Sequence, residues 1–156
     1  MEAVGVGTLI RAARQDIGMS MDRLAAAVGV PTADLRRYEE CAARPAPAVL
    51  ERILSAAQLR PSIPLALEAR AVAELAEQHH LLDVRVFGSL VRGRDTAASD
   101  IDLLVTTTPE TTLFDLGGFA HGVEERTGFP VDILTDDDLR QDPYFAHVLD
   151  EAVPLW

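Results

Sequence analysis

The chain of 156 residues contains no lysine, so its permanently charged basic side chains are 14 arginines, beside four histidines. A carboxylate taken into apolar surroundings costs several kcal/mol unless a positive group compensates it, and here arginine or a bound cation can do so. One cysteine, Cys41, excludes an internal disulfide and agrees with a reducing compartment. With nothing beside it to lower its pKa, Cys41 reads as a small residue in a turn. No apolar run reaches the roughly 20 residues of a membrane span, and the opening "MEAVGVGTLIRAARQD" lacks a basic leader and a long apolar core. A folded cytoplasmic protein with no membrane partner is therefore expected. Its hydrophobic fraction of 48% is enough to bury a core, in one ordinary domain or two small ones.

The net charge of -11 is unevenly spread. Residues 1–60 carry eight arginines against seven acids, a net of +1; the remainder carries six against eighteen, a net of -12. Two units with different partners are expected, because a strongly acidic surface repels phosphate backbones whereas a near-neutral module with local arginines does not.

In the first unit, Leu9, Ile10, Ala13 and Ile17 recur at helical spacing, "GMS" breaks the run, and Ser20 is placed to cap a helix over "MDRLAAAVG". Gly29 suits the end of that helix. Thr32 is a candidate cap for a third helix, "ADLRRYEE", and "APAVLERILSAAQL" reads as a fourth, entered through Pro45 and Pro47. Short helix, tight turn and arginine-bearing helix make the helix-turn-helix pattern. Through Arg14, Ser20, Leu24, Ala25, Gly29, Val30, Tyr38, Glu39, Pro45 and Leu50 the stretch resembles the XRE, or Cro/CI-like, family, departing from its pattern at Met21 and Glu40. The resemblance implies DNA contact from Thr32, Ala33, Asp34, Arg36 and Arg37. The alternative is a helical bundle that docks a partner, with the arginines merely solvated.

"RPSIP" breaks the helical pattern at Pro61 and Pro64 and reads as a linker. The amphipathic "LALEARAVAELAEQHHLL" follows, with His79 and His80 as a solvated helix end. Three short β-branched and aliphatic runs, "VRVFGSL", "DIDLLV" and "VDILT", are expected strands, the last two separated by the helix-like "TLFDLGGFAHGVEERTG". This is an α/β arrangement with a small sheet.

Two aspartates one residue apart in an apolar strand pose the main question. On a strand, Asp100 and Asp102 face the same side with α-carbons roughly 6.5 to 7 Å apart. Asp132, between Val131 and Ile133, is placed to bring a third carboxylate to the same sheet edge. Three such acids repel one another unless they ligate a divalent cation, and Mg2+ prefers oxygen donors while keeping positions open for phosphate oxygens. Gly88 and Ser89, ending a strand and opening a short helical turn, offer backbone N–H groups and a hydroxyl to a triphosphate. Arg92 and Arg94 in the following loop are candidates to neutralise phosphate charge.

Gly-Ser, ten residues, Asp-x-Asp, then a strand aspartate: "GSLVRGRDTAASDIDLLV" with "VDIL" resembles the minimal (MNT-type) branch of the polymerase β-like nucleotidyltransferases, with likeness running to the closing "ILTDDDLRQDPYFAHVLDEAVPLW". The resemblance implies phosphate binding by Gly88 and Ser89, magnesium ligation by Asp100, Asp102 and Asp132, and one of these acting as base. The expected fold is an all-α helix-turn-helix domain over residues 1–60, then a small α/β nucleotidyltransferase domain with a mixed sheet over residues 61–156. The pairing resembles antitoxins of HEPN-type RNase toxins, which implies AMP transfer from ATP to a toxin tyrosine and repression of operator DNA. A helix-turn-helix reader commonly works as a homodimer, which leaves a homodimer open here. Two further readings stay open: a non-catalytic regulator that neutralises its partner by contact, and a transferase acting on RNA or a small hydroxylated molecule.

Overall fold

Four helices come first: α1 (Val6–Asp16), α2 (Met21–Val28), α3 (Thr32–Glu39) and α4 (Pro47–Ala56). The computed structural model describes residues 5–141 and 143–155; Asp142 and Trp156 of the closing stretch and residues 1–4 of the opening one lie outside them. Ser20 caps α2 by accepting from the Arg23 N–H at 3.2 Å, and Gly29 ends it in the left-handed region at φ 70°. The cap expected at Thr32 is one residue off. Pro31 holds the N-cap position and Thr32 is the first helical residue, with no side-chain cap bond. Ile10, Ala13, Leu24, Leu35 and Ile53 close these helices around a common core.

One ion pair locks that core from its edge. The Glu39 carboxylate is buried, and Arg14 donates to its two oxygens at 2.6 and 2.8 Å while a third bond reaches the Met19 carbonyl at 2.9 Å. The pair fixes α1 to α3, and Arg14, with Arg11 3.7 Å from the same carboxylate, compensates the buried Glu39 charge.

The stretch "RPSIP" is a helix start rather than a linker. Helix α5 spans Ser62–Gln78 with Pro61 as its N-cap, so Pro64 falls in the first turn, where a missing N–H costs no helical bond. The helix ends at His79, but only His80 is exposed; His79 is partly buried, 3.6 Å from Asp115 and close under Gly118.

Strands β1 (Leu81–Phe87), β2 (Ile101–Thr107), β3 (Val131–Thr135) and β4 (Val153–Pro154) form one sheet in the order β3-β2-β1-β4. Strand β1 is antiparallel to β2 and β4, while β2 and β3 are parallel, so the sheet is mixed as expected. The parallel pair is joined by α6 (Leu113–Thr127), which begins with a Thr112–Asp115 capping box and ends at Gly128. On one face, Val72 of α5 and Phe119 and Val123 of α6 bury Ile101, Leu103 and Val105 of β2. The opposite face is covered more thinly. There α7 (Asp136–Gln141), a 3-10 turn (Pro143–Phe145) and α8 (Ala146–Glu151) bring Leu139 and Val148 onto Leu104. Alternation along β2 thus sends Ile101 and Leu103 into the main core and Asp102 to the less covered face.

Candidate active site

The turn after β1 carries the first half of the site. Gly88 sits at φ 74°, and a β-carbon there would lie 2.1 Å from Asp102 Oδ2, so only glycine lets backbone and carboxylate approach this closely. The chain then turns through Arg92 N–H to the Gly88 carbonyl at 3.3 Å and Arg94 N–H to the Ser89 carbonyl at 3.0 Å. Leu90 and Val91 pack against the main core from the same turn. This is the short helical turn that the sequence places after Ser89.

The carboxylates form the second half. Asp102 and Asp132 are register partners on the parallel strands β2 and β3, and Phe87 stands opposite Asp102 across β1. Phe87, Asp102, Asp132, Ile133, Leu134 and Phe145 line a cavity of about 350 Å³. Asp100 lies one residue before β2 and is exposed, so the sequence's placement of it on the strand is off by one position. Burial first, then the charges of Asp132 and Asp100, push the Asp102 carboxyl above its ordinary range. Asp102 thus feels both of the other carboxylates. Among the described residues, however, no group of three or more His, Cys, Asp or Glu side chains is already gathered into a metal site. In chemistry the donor set is all carboxylate oxygen beside the Gly88–Ser89 turn, which fits a hard divalent cation such as Mg2+.

Arg92 and Arg94 diverge. Both are exposed, but Arg92 also donates through Nε and Nη2 to the two oxygens of Glu151 at 2.6 and 2.8 Å. Sequence reasoning missed Glu151: it lies 59 positions from Arg92, and no local pattern announces the pair. It also missed Asp95, whose buried carboxylate accepts from Arg60 Nη1 at 2.6 Å and from the Ser62 N–H at 3.0 Å. Arg60 reaches back to Asp16 of α1 at 2.7 and 2.8 Å, so one guanidinium joins the first unit to the loop carrying the Gly-Ser turn. On α3, Ala33, Arg36 and Arg37 are exposed and Thr32 and Asp34 are partly buried, with Arg37 3.8 Å from Asp34.

Residues 69–154 match the family described as Nucleotidyltransferase domain, more than half of the chain. Among solved structures, one provisionally described as a minimal nucleotidyltransferase is 37% identical, with a TM-score of 0.53 over 58% of this chain and 91% of that chain. A crystal structure of a toxin-antitoxin with AMP-PNP is 21% identical, covering 56% of this chain and 72% of that chain at a TM-score of 0.47. A complex of tri-AMPylated Shewanella oneidensis HEPN toxin with MNT antitoxin gives 19% identity, 59% and 71% coverage and a TM-score of 0.43. No curated protein matches the chain. Among the described residues no helix is long and apolar enough to cross a membrane.

Proposed function

The chain belongs to the nucleotidyltransferase domain family, and from that premise we propose that it is a cytoplasmic antitoxin that transfers AMP from ATP to a tyrosine of a cognate HEPN-type toxin. The observation that carries the transferase reading is the contact of the Gly88 backbone with the Asp102 carboxylate, next to the register partner Asp132. It sets an anion-binding turn against acids at one sheet edge. Gly88 and Ser89 bind the nucleotide's phosphates, with Arg92 and Arg94 offsetting their charge. Asp100, Asp102 and Asp132 would hold magnesium, which when bound supplies charge neutralisation for the phosphates. One of the three carboxylates takes the proton of the acceptor hydroxyl. The acceptor oxygen then bonds to the α-phosphorus, the bond from that phosphorus to the bridging oxygen breaks, and pyrophosphate leaves.

The first unit is proposed to bind operator DNA as a homodimer through Thr32, Ala33, Asp34, Arg36 and Arg37. The near-neutral charge of residues 1–60, with exposed Arg36 and Arg37, supports that half of the reading. The test for the enzyme half uses α-labelled ATP with magnesium and the product of the adjacent gene. Label should appear on the partner and disappear with Asp100→Asn or Asp102→Asn. Label found instead on RNA or a small hydroxylated molecule changes the acceptor. Neutralisation of the partner with no label transferred counts against catalysis altogether.

A further inference from the structure

The sequence places Arg92 among the groups that meet phosphate; the structure gives it a partner inside the chain. Glu151 receives the Arg92 guanidinium in a two-pronged pair, at 2.6 and 2.8 Å, and that pair holds its carboxyl below the usual range. One carboxylate therefore holds the turn at its fifth residue. Glu151 itself stands on fixed ground. It is the last residue of α8, whose Val148 is buried, and directly after it Val153 and Pro154 pair with Val86 and Arg85 of β1. The turn, by contrast, is held by its own short backbone bonds and the packing of Leu90 and Val91.

We propose that Glu151 is a positioning residue of the nucleotide site: it fixes Arg92 at the far end of the Gly88–Ser89 turn, so that the turn is already shaped for a triphosphate and Arg92 meets it as a tethered charge. The inference rests on the nucleotidyltransferase reading. A carboxylate and a phosphate could instead compete for the same donors, in which case Glu151 would hinder binding. Its environment favours the positioning role. The Glu151 side chain is only 18% exposed whereas Arg92 stays 53% exposed, so a phosphate can reach the guanidinium without expelling Glu151. Charge-assisted two-pronged pairs are also the kind that fix geometry.

The experiment measures AMP-PNP binding with magnesium by calorimetry for the wild-type chain, Glu151→Gln, Glu151→Asp, Arg92→Gln and the Glu151→Gln/Arg92→Gln double variant. Melting curves establish that each is folded at the assay temperature. Glu151→Gln should bind AMP-PNP about tenfold more weakly, with Glu151→Asp intermediate. The double variant should be little worse than the worse single one, because both changes break one pair. In the transfer assay the KM for ATP should rise by a similar factor, with kcat at saturating ATP within about twofold of wild type. A merely structural role would lower the folded fraction and kcat while leaving KM alone. Unchanged affinity in Glu151→Gln overturns the proposal, as does tighter binding, which would make Glu151 a competitor of the nucleotide. Failure of the wild-type chain to bind AMP-PNP overturns both the site reading and the inference built on it, whereas normal wild-type binding with an indifferent Glu151→Gln overturns only the inference.

Discussion

Gly88 and Asp102 are so close that the first cannot gain a single carbon without displacing the carboxylate of the second: the added atom would be 2.1 Å from Oδ2 and 3.0 Å from Cγ. Because the obstructing atoms belong to a side chain that can rotate, the consequence falls on function more than on folding. Gly88→Ala should cost about 1 to 2 kcal/mol of stability, mostly from the positive φ. Nucleotide transfer should fall by about a hundredfold or more, since Asp102 must swing out of place. Urea melts and the labelled-ATP assay measure the two quantities; a variant with wild-type activity would show that the contact has no part in the chemistry.

Asp102 also carries a stability cost. Its carboxyl is held above the ordinary value of about 3.9 by burial first and then by Asp132 and Asp100. For such an acid the folded chain binds the proton more tightly than the unfolded chain. Stability is thus lost as pH rises from that ordinary value through the raised one, and it stays lost at neutral pH. In metal-free buffer, Asp102→Asn should melt at a higher temperature than wild type at pH 7 and lose that advantage near pH 3, while transfer falls by about a hundredfold or more. A lower melting point at pH 7 would contradict the sign.

The clamp of Arg60 on Asp16 and Asp95 supplies a prediction of the opposite sense. Arg60→Met leaves the buried Asp95 with only the Ser62 N–H and should destabilise the chain by about 3 kcal/mol in urea melts at pH 7. The Asp16 carboxyl is held below its usual range by its hydrogen bonds to Arg60. Its contribution is therefore present at neutral pH and lost as pH falls below about 4 through the depressed value. Asp16→Asn should be less stable than wild type at pH 7 and nearly equal to it near pH 2, and an equal deficit at both would remove the ion pair from the account.

For the first unit, Arg36→Ala and Arg37→Ala are expected to weaken binding to the upstream DNA of the chain's own gene. The wild-type affinity should fall steeply with salt, because arginine–phosphate contacts release counterions. Gel shifts at two salt concentrations check this. Binding that is indifferent to both substitutions and to salt would leave α3 a solvated face of a helical bundle.

Much of the architecture could be read along the chain because it depends on near neighbours. Ser20, three residues before Arg23, and Gly29, at the end of an apolar run, bounded α2 where the structure has it. The 3.6-residue and two-residue repeats separated helices from strands, and the interval from Gly88–Ser89 to Asp100 and Asp102 marked the site. The misreadings were also local. Two prolines suggested a break at "RPSIP", although the first turn of α5 tolerates Pro64; Asp100 was placed on a strand that begins one residue later; and His79 was left in solvent although α6 folds over it.

By itself, then, the sequence determined most of the helices and strands and marked the candidate residues Gly88, Ser89, Asp100, Asp102 and Asp132, since periodicity, capping and motif spacing act over a few bonds of chain. Only the tertiary structure decided which of them meet. It set Asp102 beside Asp132 through the parallel register, gave Arg92 to Glu151, and gave Arg60 to both Asp16 and Asp95. Those pairings join residues tens of positions apart, and in a chain without lysine the outcome depends on which carboxylates packing brings within reach of the arginines. That is settled by how the sheet and helices close on one another, and no short-range pattern encodes it.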